Sequence, residues 1–173
     1  MILADPDGTE VDRFDSIVKP GAGCVIGKEA FEAHGITLER AMDEGLDAVQ
    51  AIDAFLAFEE RCSLRVGHNE SFDRRIMRIA CARHKGFKWE AEKPSFCTLY
   101  KSKFIINLPP TPKMIAKGMP GPKAPKLEEC VQHFFNEPLD GAHRAMNDVE
   151  GCKRVFFHLT GTLGVRMFKD KAA

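Results

Sequence analysis

A short apolar run, Leu64-Arg65-Val66-Gly67, is wedged between two stretches of helical periodicity, and this alternation limits the fold more than any other feature. Before it, Leu46, Val49, Ile52, Phe55 and Leu56 recur at helical spacing across residues 46–60 and form one apolar stripe. After it, Phe72, Ile76, Ile79 and Ala80 repeat at the same period and are predicted to point inward. Asn69 stands at the N-cap of this second helix, where a side-chain oxygen satisfies free backbone N–H groups. A strand between helices needs a neighbour in a sheet, and the first 19 residues supply candidates. Ile2 and Leu3 open one strand, Asp5-Pro6-Asp7-Gly8 makes a turn, and Val11, Phe14, Ile17 and Val18 furnish the return. Pro20-Gly21-Ala22-Gly23 then breaks the hairpin. Both an all-α bundle and an all-β sandwich are excluded, and the pattern is that of an α/β or α+β sandwich.

The second half is punctuated by proline. Seven of the ten prolines fall within residues 86–126, where Pro109-Pro110-Thr111-Pro112 and Pro120-Gly121-Pro122 forbid a continuous helix. Lys113, Lys117, Lys123 and Lys126 make a basic run in this region, read here as a solvated loop rather than a phosphate contact. Leu127, Val131, Phe134 and Phe135 mark a short helix stopped near Pro138. A longer helix covers residues 144–159, with Ala145, Val149, Cys152, Phe156 and Leu159 on one face. No internal repeat or second core is visible, so residues 1–173 read as a single domain. Basic and acidic residues are equal at 25 each, which excludes a histone-like binder but not an enzyme that grips nucleic acid locally. The six cysteines include no Cys-x-x-Cys pair, and reduced thiols in a cytosol are the simplest reading. No secretory signal or membrane-length apolar stretch appears, so a cytoplasmic protein without membrane contact is expected.

Two segments hold polar residues that packing and turns do not explain. In Gly67-His68-Asn69-Glu70-Ser71-Phe72-Asp73, Asp73 falls in the first turn of a helix that follows a strand. Alone, it reads as an ordinary helix-dipole acid. In Asp140-Gly141-Ala142-His143-Arg144-Ala145-Met146-Asn147-Asp148, the His143 and Asp148 side chains would diverge by about 140° on one regular helix. They converge only if His143 belongs to the entry loop, which Gly141 permits, and Asp148 to the first turn.

Together these segments resemble the DEDDh (DnaQ-like) 3′–5′ exonuclease family. His68-Asn69-x-x-Phe72-Asp73 matches its second motif and His143-x-Ala145-x-x-Asp148 its third, in the form that defines the "h" subtype. Phe96-Cys97-Thr98, Ala124-Pro125-Lys126-Leu127, Val18-Lys19-Pro20 and His34-Gly35-Ile36-Thr37 are similar to intervening family segments, so the likeness runs over about residues 2–159. It implies a ribonuclease H-like α/β fold, a mixed five-stranded sheet flanked by helices. It implies a nuclease, similar to the DNA polymerase III epsilon subunit, that acts on 3′ ends of single-stranded DNA or RNA. Two ions of Mg²⁺ or Mn²⁺ would drive hydrolysis, since hard cations take oxygen ligands and a metal pair stabilises attacking and leaving oxygens. Asp73 and Asp148 would ligate metal, His143 would be the general base, and Asn69, Phe72, His34 and Ile36 would hold terminal nucleotides.

The family's first motif, Asp-x-Glu on a central strand, has no counterpart ahead of the hairpin. Asp5-Pro6-Asp7 lies too close to Pro20 to serve and makes a good turn instead, while Glu10 and Asp12 are placed on the solvent side. The chain is therefore expected to lack its first central strand, leaving neighbouring backbone unpaired and two of four carboxylates missing. A mis-called start site is preferred over gene decay or completion by another chain, and activity of the sequence as given is in question. The alternative is a non-catalytic module of the same fold that binds nucleic acid or a DNA polymerase subunit.

Overall fold

The computed structural model describes residues 1–139, 141 and 144–169. Twelve elements follow in the order β1 (Ile2–Ala4), β2 (Glu10–Arg13), α1 (Lys28–His34), α2 (Leu38–Glu44), α3 (Ala48–Arg61), β3 (Arg65–Gly67), α4 (Glu70–Lys85), β4 (Ser95–Cys97), α5 (Thr98–Ile106), α6 (Pro112–Ala116), α7 (Leu127–Phe135) and α8 (Ala145–Lys169). The fold is mixed α/β and ribonuclease H-like, with a small sheet. Its four strands form two pairs, antiparallel β1–β2 and parallel β3–β4, rather than one five-stranded sheet. The pairs share no hydrogen bond among the described residues. Met1 and Phe14 exchange both backbone bonds and Arg65 N–H reaches Pro94, so Ile2 and Val66 direct their backbone groups away from their partners. That is the arrangement expected when a central strand is lacking.

Local chemistry accounts for the element ends. The predicted hairpin turn forms, with Gly8 N–H on the Asp5 carbonyl and Thr9 N–H on the Asp7 carboxylate, but the return strand ends at Arg13, so Phe14, Ile17 and Val18 fall outside it and Val18 bridges to Leu46 instead. Asp47 and Gln50 make a capping box at the start of α3. Asn136 ends α7 in a left-handed conformation two residues before Pro138. Gly161 breaks α8, so the predicted helix over residues 144–159 corresponds to its first part.

Two cores hold the elements together. Leu127, Cys130 and Val131 of α7 pack on Cys152 and Val155 of α8. Ile52 of α3 and Cys81 of α4 pack with Trp89, whose ring meets Phe55 edge-on at 5.1 Å. Of the inward stripe predicted for α4 only Ala80 packs inward, while Phe72, Ile76 and Ile79 are all exposed. The helix turns Glu70, Met77, Ala80 and Cys81 inward instead, because Glu70 is drawn under by a buried cation. Val49 of α3 is exposed too.

That cation is Arg65. Its side chain, 11% exposed, bonds Glu59 at 2.8 Å and Glu70 at 3.2 Å, donates to the Lys93 carbonyl, and lies over the Trp89 ring. Lys93 in turn donates to the carbonyls of Glu60 and Cys62, satisfying acceptors that the end of α3 leaves open. Removing one member of a buried ion cluster strands the others. Arg65→Ala is therefore expected to cost about 3–5 kcal/mol, measured by urea unfolding followed through Trp89, the single tryptophan. A loss below about 1 kcal/mol would mean that solvent already reaches both carboxylates.

Candidate functional site

Helices α4 and α5 spring from the same end of the parallel pair, where Gly67 stands opposite Cys97. In open α/β sheets this end is where ligands collect. Asp73 sits in the first turn of α4 and Asp148 in the first turn of α8. First-turn carboxylates suit the partial positive charge of a helix start. The Asp148 N–H bonds the Arg144 carbonyl at 3.1 Å, so the carboxylate is carried on regular helix. Cys152 lies one turn beyond Asp148 on the same face of α8. Asp73 is open to solvent as a residue, yet desolvation by surrounding protein, opposed by a backbone hydrogen bond and aided by Glu70, raises its pKa.

Beneath the carboxylates runs a chain of hydrogen bonds. His68 Nε2 lies 3.1 Å from the Pro125 carbonyl, which only accepts, so this nitrogen carries the proton. Nδ1 then accepts the Thr98 hydroxyl at 2.9 Å. The Gly67 carbonyl is a second acceptor for that hydroxyl at 3.3 Å, and the Cys152 thiol lies 3.7 Å from its oxygen. Burial holds the His68 pKa below its ordinary 6.5, which keeps the ring neutral and this tautomer intact. Burial likewise pushes the Cys152 thiol up to about 11, so it is no nucleophile at neutral pH. None of these residues was singled out from sequence, although His68, Thr98 and Pro125 each fall inside a matched motif.

The other predicted residues divide. Asn69 occupies the N-cap position but adopts a left-handed conformation, φ 73°, and makes no side-chain cap. That backbone turn aims its amide away from the first N–H groups, correcting the expected capping role, and only Ser71 bonds it, at 3.4 Å. Phe72 is exposed beside it, with the Arg75 guanidinium over its ring. His34 and Ile36 lie in the α1–α2 turn, where His34 Nδ1 accepts the Ile36 N–H at 3.0 Å. Their bonding is local, and neither makes a hydrogen bond or ion pair to Asp73 among the described residues. His143 lies outside the described residues, as do Asp140 and Ala142; α8 begins at Ala145, so Asp148 does fall one turn inside the helix. Glu10 and Asp12 are surface residues as expected, paired with Arg13 and Arg61.

Asp73 and Asp148 offer the hard oxygen donors that Mg²⁺ or Mn²⁺ takes. Their number does not fit a metal pair: among the described residues no group of three or more His, Cys, Asp or Glu is arranged to hold an ion.

Carboxylates at helix starts beyond a parallel strand pair, in a ribonuclease H-like α/β frame, mark a nuclease-type domain. The family model for exonucleases (RNase_T) matches residues 3–156. A DNA polymerase III PolC-type protein of Thermotoga petrophila is 30% identical over 150 residues, which is 87% of this chain and 9% of that protein. Its counterpart from Thermotoga maritima is 31% identical over 149 residues, 86% of this chain and again 9% of the relative. The chain thus spans 9% of the length of the curated relatives it matches. No solved structure matches it. The chain belongs to the exonuclease family.

His68→Ala leaves the Pro125 carbonyl without its donor and Thr98 without its acceptor, and is expected to cost about 1–3 kcal/mol. With its folded pKa lowered, His68 refuses a proton that the unfolded chain accepts. Its contribution to stability is whole above about pH 6.5 and is lost as pH falls from there through the folded value. Urea unfolding at pH values on either side should therefore show a smaller difference in the variant than in the wild type. An equal difference would assign the acid sensitivity to other groups.

Proposed function

We propose that this chain is one domain of a metal-dependent 3′–5′ exonuclease of the DnaQ type, releasing nucleotides from the 3′ ends of single-stranded DNA or RNA. The observation that carries the reading is that Asp73 and Asp148, 75 residues apart in sequence, each stand in the first turn of a helix, within a chain that the exonuclease family model covers almost throughout. Asp73 and Asp148 supply oxygen ligands to Mg²⁺ or Mn²⁺, which when bound stabilises charge at the scissile phosphate. His143 takes the proton of the attacking water, a task suited to a side chain titrating near neutrality. Asn69 and the exposed Phe72 contact the terminal nucleotide, with His34 and Ile36 assigned to the same subsite. The remaining metal ligands come from an Asp-x-Glu strand that joins the short strand pairs. The polymerase names of the relatives support a place beside a DNA polymerase in replication, in the cytoplasm; no helix among the described residues is long and apolar enough to cross a membrane.

The split sheet and the two described carboxylates favour one rival, a binding module of the same fold without catalysis. The test is nucleotide release from 3′-labelled DNA and RNA oligomers with Mg²⁺ or Mn²⁺, using this chain, a form extended upstream to an encoded Asp-x-Glu, and Asp148→Ala in each. The expected result is activity in the extended form, falling by about 10³-fold or more in Asp148→Ala. No release from a folded, extended protein would leave the binding module.

A further inference from the structure

Although the chain as a whole carries no net charge, from Lys93 to Leu127 it holds seven lysines and no aspartate or glutamate. The structure gathers most of this segment on one side of the site. Helix α5 starts directly from β4 and buries Thr98 and Ser102, so its opposite face is outward. Tyr100 is 59% exposed there and Phe104 72%. Four residues apart, the two rings stand about 6 Å from each other along the helix axis. Lys101 and Lys103 flank this aromatic stripe on its two sides, with Lys103 over the Phe104 ring.

Beyond α5 the basic segment runs on into α6. Lys123 N–H bonds the Leu108 carbonyl at 3.1 Å and closes residues 108–123 into a compact loop at the end of α5. Thr111 caps α6 within it, and Met119 N–H returns to the Met114 carbonyl, so the loop has a defined shape. It displays Lys113 and Lys117 one turn apart, with Ile115, which is 61% exposed, on the other side of the turn. Lys93 is occupied at the end of α3 and Lys123 pairs with Glu129. Lys101, Lys103, Lys113 and Lys117 make no ion pair among the described residues.

We propose that the outer face of α5 and the α6 loop form a track for single-stranded nucleic acid, with Tyr100 and Phe104 stacking on bases and the four lysines holding phosphates. This deepens the nuclease reading, on which it rests for the course of the strand: α5 begins at the same end of the parallel pair as the carboxylates. Exposed aromatic rings interleaved with unpaired cations are what sequence-tolerant single-strand binding requires. A protein-binding face is the poorer match, because lysine is depleted in such interfaces. The basic run at Lys113 and Lys117, unremarkable in sequence, acquires a role once the rings beside it are seen to be uncovered.

The test measures anisotropy of a fluorescein-labelled oligothymidylate with full-length protein in EDTA, over a range of salt. The proteins are the wild type, Tyr100→Ala/Phe104→Ala, Lys101→Glu/Lys103→Glu, and the control Lys88→Glu. Each aromatic or charge-reversal pair is expected to weaken binding about tenfold or more, and charge reversal to flatten the salt dependence. The control should match the wild type. Turnover of thymidine 5′-p-nitrophenyl phosphate, too small to reach α5, should be unchanged wherever hydrolysis is seen, which separates loss of the track from loss of the fold. Binding by the folded, extended form without hydrolysis would sink the nuclease reading and leave the track standing. Wild-type affinity in both pairs would overturn the track, as would absence of wild-type binding. So would sedimentation showing self-association through this face.

Discussion

The Thr98 hydroxyl, wholly buried, is shared among three elements that carry the site: Gly67 and His68 after β3, Thr98 at the start of α5, and Cys152 on α8. Through His68 it reaches a fourth, the Pro125 carbonyl at the entry to α7. The Thr98 hydroxyl has two acceptors within reach and the His68 Nε2–H one, and a polar group without a partner in the interior is costly. The carboxylates are therefore positioned indirectly. Asp73 follows His68 by little more than one turn of α4, and Asp148 precedes Cys152 by one turn of α8. A network under the site sets the distance between helices whose first turns form its surface.

Around this hub the packing is uneven in a consistent way. The α7–α8 core is filled with aliphatic side chains and cysteines, and α3 and α4 close on Trp89. The strand pairs lie apart, and α4 turns an apolar stripe to solvent. The α4 inversion follows from electrostatics overriding periodicity. Burying Glu70 against Arg65 fixes the rotation of α4, and Phe72, Ile76 and Ile79 must then face outward. Three exposed apolar side chains at about 25 cal/mol per Å² weigh less than an uncompensated interior cation.

Much of this was legible in the sequence where one signal acted alone. The hairpin, α3, α7 and the first part of α8 follow from turn chemistry and helical period. Helix α5 was missed because Leu99, Tyr100, Phe104, Ile105 and Ile106 spread apolar side chains around nine residues, leaving no stripe to read. The α1 and α2 helices bury almost nothing, so they too gave no periodic signal. At the site, the motif pattern located Asp73 and Asp148 but not the residues that hold them. His68, Thr98 and Pro125 are separated by 57 residues of chain, and their bonding depends on β3–β4 register. Asn69 shows the opposite failure: its type and place suggested a cap, and its backbone conformation removed that role.

The raised pKa of Asp73 bears on how such a site gains a ligand. A carboxylate at a helix start ordinarily gains from the dipole, yet here desolvation and Glu70 prevail over it. No cation compensates: Arg65, the cation bonded to neighbouring Glu70, spends its hydrogen bonds on Glu59, Glu70 and the Lys93 carbonyl. An ionised Asp73 is thus held in a place that disfavours its charge, and whatever brings positive charge there relieves that cost and binds more tightly for it.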